Sequence, residues 1–256
     1  MFTALEFERM TNASGPTGGK IVTKTKRYNK RTKSEEWVLD PEGPPPRSVA
    51  IIHCVGSRDA QHNPYCSRVC CMYSLKFAHL VREKLPEAAC YEYYIDMRAF
   101  GKGYEEFAER IAAEGTHVVR GRTARVEEIN GQMVIKGEDI INDRMVEAPV
   151  DMVILAVGLI PARGSDRLAE MLGIARDPDG WFSELDYNAD PTETERGGVF
   201  VAGACQAPKD IPDTVAQASA VAAGVLKSVN TGRGLDSRAE LSLSDIETRA
   251  RTLVQV

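Results

Sequence analysis

"SVAIIHCVGSRDAQHNPYCSRVCCMYSLKFAHLVREKL", residues 48–85, decides the fold. It opens on an apolar run over 48–55, passes through a loop carrying Cys54, Gly56 and Pro64, and closes on a helical pattern. A short unbroken apolar run bounded by turn residues reads as a strand buried on both faces. The helix is expected to start at Ser67, whose hydroxyl suits an N-cap, with Val69, Leu75, Ala78 and Leu85 in its core stripe and cations toward its end. Beyond it, "ACYEYYIDMR" (89–98) reads as a second strand and "YEEFAERIAAEG" (104–115) as a second helix closed by Gly115. The order β, α, β, α on short connections predicts an α/β fold: a doubly wound parallel sheet with flanking helices.

Outward from this core, residues 116–140 read as strands turning at Asn130-Gly131, a dipeptide favoured in tight hairpins. "VDMVILAVGLIP" (150–161) is another buried strand, residues 165–174 a short helix, and "GGVFVAGAC" (197–205) a further buried strand. A long helix over 210–230 opens with Pro212, tolerated in a first turn. On the other side, the basic run 24–33 is expected as a solvated loop. "PEGPPPR" (41–47) marks a boundary, because proline removes donors and restricts its neighbours. The expected organisation is a connecting segment over 1–45, two further parts over 46–149 and 150–234, and a tail over 235–256.

The chain of 256 residues is 43% apolar with a net charge of −5, a balance that gives no general attraction for nucleic acid or anionic lipid. It shows no signal-like segment at Met1 and no apolar run of about 18 residues. A cytoplasmic location without membrane insertion is the expectation, and in that reducing setting clustered cysteines read as a metal or redox site.

Four of the six cysteines fall between positions 54 and 71, spaced Cys54-x11-Cys66-x3-Cys70-Cys71. Iron–sulfur clusters are usually held by four thiolates. Here the first ligand would end a strand and the others would stand at a helix start, where exposed N–H groups favour negative charge. Cys70 and Cys71 point about 100° apart on an ideal helix, so joint ligation needs a loosened turn. A structural zinc site, a dithiol–disulfide pair and plain packing are the competing readings. Cys90 and Cys205 lie in expected buried strands and read as packing. His53 and His62 flank the site without a recognisable partner and are assigned no chemistry.

"CVGSRD", "YCSRVCCMYSLKFA", "YYIDMRAFGKGYEEF", "DMVILAVGL" and "GVFVAGACQAPKDIPDTVAQASAVAA", colinear over about 1–230, resemble the A-subunit family of heterodisulfide reductases. The resemblance implies a thioredoxin-reductase-like, two-dinucleotide flavoprotein fold, with 1–45 a connecting segment and part of the FAD domain, 46–149 a nucleotide-binding-like domain carrying the cluster, and 150–234 the C-terminal part of the FAD domain. It also implies FAD and a [4Fe–4S] cluster on Cys54, Cys66, Cys70 and Cys71. Electron transfer would run to heterodisulfide reductase B/C-like subunits and a ferredoxin-type, hydrogenase or dehydrogenase partner, in full enzymes by flavin-based bifurcation. Gly203, Ala204, Lys209, Asp210 and Ile211, with Gly158, are the flavin-contact candidates. Lys209 is a candidate for favouring anionic reduced flavin and Glu8 for proton exchange. No G-x-G-x-x-G occurs in the chain, so the adenosine-binding unit is expected on a companion chain. "CVGSRD" stands where such flavoproteins carry their second glycine-rich loop, and direct oxidation of NAD(P)H is not expected. The rival reading is a non-catalytic assembly module with a structural iron–sulfur or zinc site.

Overall fold

The elements of the computed structural model, which describes residues 1–230, run β1 (Phe2–Thr3), α1 (Ala4–Thr11), β2 (Lys24–Asn29), β3 (Ser34–Leu39), β4 (Ser48–Val55), α2 (Cys70–Lys84), β5 (Ala89–Tyr94), α3 (Tyr104–Ala113), β6 (His117–Arg120), β7 (Thr123–Ile129), β8 (Gln132–Asp139), β9 (Arg144–Val150), β10 (Met152–Val157), α4 (Ser165–Leu172) and α5 (Ile211–Asn230). The chain divides into two units, Met1–Leu159 and Ile160–Val256. The expected tail at 235–256 lies outside the described residues.

In the first unit a five-stranded sheet has the order β1-β10-β4-β5-β6, every pair parallel. Six of the eight residues of β4 are buried, as expected for a strand covered on both faces. Side chains alternate between those faces. Val49, Ile51, Cys90 and Ile154 join Phe7, Leu75, Phe77 and Ala78 under α1 and α2, where Phe7 meets Phe77 edge-on at 5.0 Å. Ala50, Ile52, Tyr93 and Val153 face the other way and pack with Ile135 and Val150.

That second face corrects the doubly wound expectation. It is covered by the antiparallel sheet β7-β8-β9 instead of by helices. The hairpin at Asn130-Gly131 is present, with φ of 52° and 79° at its two residues, and one apolar face of the meander suffices to seal the parallel sheet. The strand expected at 150–161 is β10, and Met152 pairs with Val49, so it belongs to the first unit; the expected division at 149/150 lies before the observed one at 159/160.

The basic run forms a hairpin, β2 with β3, where a loop was expected. Its cations are offset across the strands: Lys26 sits over the Trp37 ring at 5.1 Å, and Arg27 meets Asp40 at 3.2 Å. Helix α1 begins with a capping box between Thr3 and Glu6. Thr3→Ala should cost about 1 kcal/mol of stability, read as a lower urea midpoint with an unchanged slope.

In the second unit, Ala169, Ile174, Phe182 and Val201 form a small core with Val199. The strand expected at 197–205 is not formed. Phe200 makes a single bridge to Glu193, and the backbone then tightens into a 3-10 turn at Gly203–Cys205. Gly198 and Gly203 take φ of 81° and 78°, which breaks the extended run at both ends. Helix α5 matches the expected 210–230.

Candidate metal centre

Strand order reverses direction at β4: the chain continues to β5 and β6 on one side and returns as β10 on the other. In open parallel sheets the crevice outside the strand ends at such a switch point is the usual ligand site. Cys54 lies there, at the end of β4, and Val55 pairs with Val157 at the end of β10. Helix α2 brings Cys70 and Cys71 to the same place in its first turn.

The sequence expectation of Ser67 as N-cap fails. The N-cap is Val69, which has no side chain to accept a hydrogen bond. Ser67 is buried, and its hydroxyl accepts from Leu159 N at 2.8 Å, tying the cysteine loop to the end of β10. An uncapped first turn leaves N–H groups for whatever negative charge stands before it. Tyr65 reinforces the tie by donating to Leu159 O at 2.9 Å, while Asn63 donates to Gly56 O at 2.6 Å. Gly158 packs against this loop: a Cβ there would stand 3.1 Å from Ser57 Cβ and Ser67 Oγ.

The backbone of the loop is strained. Cys54, Arg58 and Arg68 have φ of 57°, 56° and 60°. Among the described residues, the other non-glycine positions of positive φ, Lys33, Asn130 and Asp143, close hairpin turns. Left-handed conformations in bulky residues cost about 1 kcal/mol or more each and collect at ligand sites.

Three of the four thiols converge. Cys70 is hydrogen-bonded to both Cys54 and Cys71, and all three are buried. That sharing drives Cys70 upward and holds the other two down, Cys54 at about 6 and Cys71 at about 4. Hydrogen bonding from Cys70 is the main cause for both, with His53 adding to each against the opposing effect of burial. Tyr73, one turn into α2, is pushed upward by burial and then by the charges of Cys70, Cys71 and Cys54. Cys66 stands apart from the trio, partly exposed, its Sγ accepting from Arg68 N at 3.3 Å. Among the described residues, no three or more His, Cys, Asp or Glu side chains form a group fit for a metal ion.

A [4Fe–4S] group offers four separate iron corners, so its thiolates surround a space and do not meet at one atom. The donor set suits it. Three thiols border one buried region, a fourth lies in the adjoining loop, and Ser57 Oγ, Ser74 Oγ and Arg58 Nη1 are buried there without hydrogen-bond partners. Arg58 also lies beside Cys54 while its Nη2 holds Asp96 at 2.7 Å.

With this geometry, sequence similarity takes on meaning. The chain is 44% identical over 236 residues to the CoB–CoM heterodisulfide reductase iron-sulfur A-subunit 2 of Methanopyrus kandleri, covering 91% of this chain and 34% of the relative. It is 44% identical over 226 residues to the H2:CoB-CoM heterodisulfide,ferredoxin reductase A-subunit of Methanothermobacter thermautotrophicus, covering 87% and 32%. The chain belongs to the heterodisulfide reductase A-subunit family. It spans about a third of the length of the curated relatives it matches. No family model matches it. Among solved structures, the thioredoxin reductase of T. acidophilum superposes with a TM-score of 0.48 at 16% identity, over 72% of this chain and 53% of that one.

For a heterodisulfide reductase A-subunit sequence, the flavin-contact candidates fall in both units: Gly158 in the first, as described, and Gly203, Ala204, Lys209, Asp210 and Ile211 in the second. The latter form a braced turn. Gly203 N donates to Gln217 Oε1 at 2.7 Å, Gln217 Nε2 donates to Gln206 Oε1, and Lys209 Nζ donates to the same oxygen at 2.8 Å. Asp210 acts as a helix cap, accepting from Asp213 N at 2.9 Å. Ile211 is exposed. Glu8 is exposed on α1, in an ion pair with Lys76 of α2. Cys90 is buried, its thiol pushed up to about 12 by that burial, in keeping with packing. Cys205 is not core packing: it is exposed in the 3-10 turn, donating to Ala202 O at 3.2 Å.

Sequence reading missed His53 and Glu92. His53 Nε2 lies 3.0 Å from Glu92 Oε1, with both side chains almost wholly buried. Burial opposes the charged imidazole, but hydrogen bonding to Cys71 and Glu92 outweighs it and raises its pKa to about 10. The available signal was a lone acid in the buried strand "ACYEYY", which demands a partner.

Proposed function

We propose that this chain is an electron-transfer section of a heterodisulfide-reductase-like oxidoreductase complex. Cys54, Cys66, Cys70 and Cys71 hold a [4Fe–4S] cluster, and the segment 203–211 contacts an FAD shared with a companion chain carrying the adenosine-binding unit. The observation that carries this reading is the meeting of Cys54, Cys70 and Cys71 at the sheet's switch point, before the uncapped start of α2. The names of the relatives, heterodisulfide,ferredoxin reductase and iron-sulfur subunit, support a ferredoxin-type electron partner and a disulfide acceptor; B/C-like subunits and flavin-based bifurcation complete the proposal. A cytoplasmic complex suits thiolate ligands.

Bound there, the cluster supplies one-electron transfer and the flavin couples it to two-electron chemistry. The protein's residues set the surroundings. His53 and Arg58 offset thiolate charge, and Ser67 and Tyr65 lock the loop onto the end of β10. Lys209, held by Gln206, supplies positive charge to reduced flavin; Glu8 as proton exchanger is tested by Glu8→Gln, since Lys76 already holds it. In a nucleotide-binding turn a glycine-rich loop runs straight into a helix. Here residues 56–69 separate β4 from α2 and the single glycine is Gly56, which leaves no pyrophosphate cradle.

The test is an anaerobic preparation assayed for iron, acid-labile sulfide and flavin, with and without a companion chain. The chain alone should carry iron but little FAD, and the pair should carry stoichiometric flavin that NADH and NADPH do not reduce. Zinc in place of iron sinks the cluster reading, tight FAD on the lone chain sinks the shared site, and bleaching by NADH reopens the nucleotide loop. Gly203→Val is a poor probe of flavin contact, because a Cβ there would stand 2.9 Å from Thr214 Cγ2 at a φ of +78°. Lys209→Ala avoids that strain. The assembly-module reading draws on Ile211, Val215, Leu226 and Val229, which α5 leaves exposed; a cluster that never changes redox state on turnover would favour it.

A further inference from the structure

We propose that the buried His53–Glu92 pair positions the cysteine site: the imidazole, fixed by Glu92 at Nε2, donates from Nδ1 to the Cys71 sulfur and raises the reduction potential of a cluster bound there. This rests on the cluster reading of the site. The two side chains come from neighbouring parallel strands. Ile51 stands opposite Glu92 in the register of β4 and β5, and His53 follows Ile51 by two, so both point to the face covered by α2.

The contact is 3.0 Å long, with side-chain exposures of 1% and 0%. A carboxylate removed from water needs a positive partner, and the imidazole is the group hydrogen-bonded to it. A protonated ring carries donors on both nitrogens. Cys71 is the thiol beside the ring, and with Nε2 on Glu92 the nitrogen left to serve it is Nδ1, which is buried with no hydrogen-bond partner in the metal-free chain. Tyr94 lies edge-on to the ring, its centroid 6.4 Å away.

Stability alone is a weak reason for such a pair, since apolar residues of similar volume usually do as well. Its contact with a ligand thiol supplies a better one. Outer-shell carboxylate–imidazole relays orient metal ligands, and hydrogen bonds to the sulfurs favour the more negative reduced cluster. Carboxylate, imidazole and thiol here follow one another in that order.

An EPR-monitored redox titration of the anaerobically loaded chain decides the matter, with iron and sulfide measured on each sample. The variants are His53→Leu/Glu92→Leu, which leaves no orphaned charge, and His53→Asn in the same Glu92→Leu background, whose amide nitrogen replaces Nδ1 as a donor. The double-leucine variant should show a midpoint lowered by about 59 mV, a tenfold change in the oxidised-to-reduced ratio for one electron. His53→Asn in that background should recover part of that shift. A folded double-leucine variant without iron, beside its iron-loaded His53→Asn counterpart, would also support positioning of Cys71 by this donor. Equal midpoints in iron-loaded samples overturn the inference and leave the cluster reading standing. Wild-type chain that takes up no iron overturns the cluster reading, and the inference falls with it.

Discussion

Cys70→Ser is expected to abolish iron binding, from about four irons per chain to almost none. Cys70 is the thiol that bridges the other two of the buried trio, so its loss removes a ligand and also the hydrogen bonds that hold Cys54 and Cys71 in place. A serine hydroxyl is a far poorer ligand for a soft iron–sulfur core than a thiolate. Cys54→Ser should do the same, because it removes a second thiol of the buried trio. Cys66 gives the sharper test. It stands outside the trio, so loss of iron on Cys66→Ser means that the loop closes on the cluster when it binds. Cys90→Ser and Cys205→Ser should retain the absorbance and the iron. Iron and sulfide analysis of anaerobic preparations reads all five, and uniform behaviour would defeat the division into ligands and bystanders.

The second large effect is on stability and needs no metal. In the metal-free chain His53→Leu should cost ~3–5 kcal/mol, because it strands the Glu92 carboxylate at 0% side-chain exposure. Replacing both partners by leucine should restore most of the loss, since nothing is then left unpaired. Urea midpoints of the single and double variants measure the difference, and equal losses would mean that packing volume, not the pair, matters. The pH dependence has a definite sign. The folded imidazole titrates near 10 and the unfolded one near 6.5, so the pair's contribution is complete below the lower value and drains away as pH climbs through the higher. The gap between wild type and double variant should therefore narrow in alkali.

Periodicity and punctuation determined much of this protein by themselves. The apolar run at 48–55, the helix that follows it, the Asn130-Gly131 hairpin and the long helix at 211–230 depend on local preferences that any tertiary setting would respect. The cysteine spacing was equally legible, because four thiols so near a strand end have few uses. Three things were not. Whether a helix or a sheet would seal the second face of the parallel sheet depended on the meander β7–β9 presenting one apolar side, and either cover meets the same demand for burial. Ser67 was a plausible cap in isolation, yet Leu159, ninety-two residues away, claimed its hydroxyl. His53 and Glu92, thirty-nine residues apart, carry no pattern linking them. Only the parallel register of β4 and β5 brings a lone imidazole to a lone carboxylate, in a place where neither could remain unpaired.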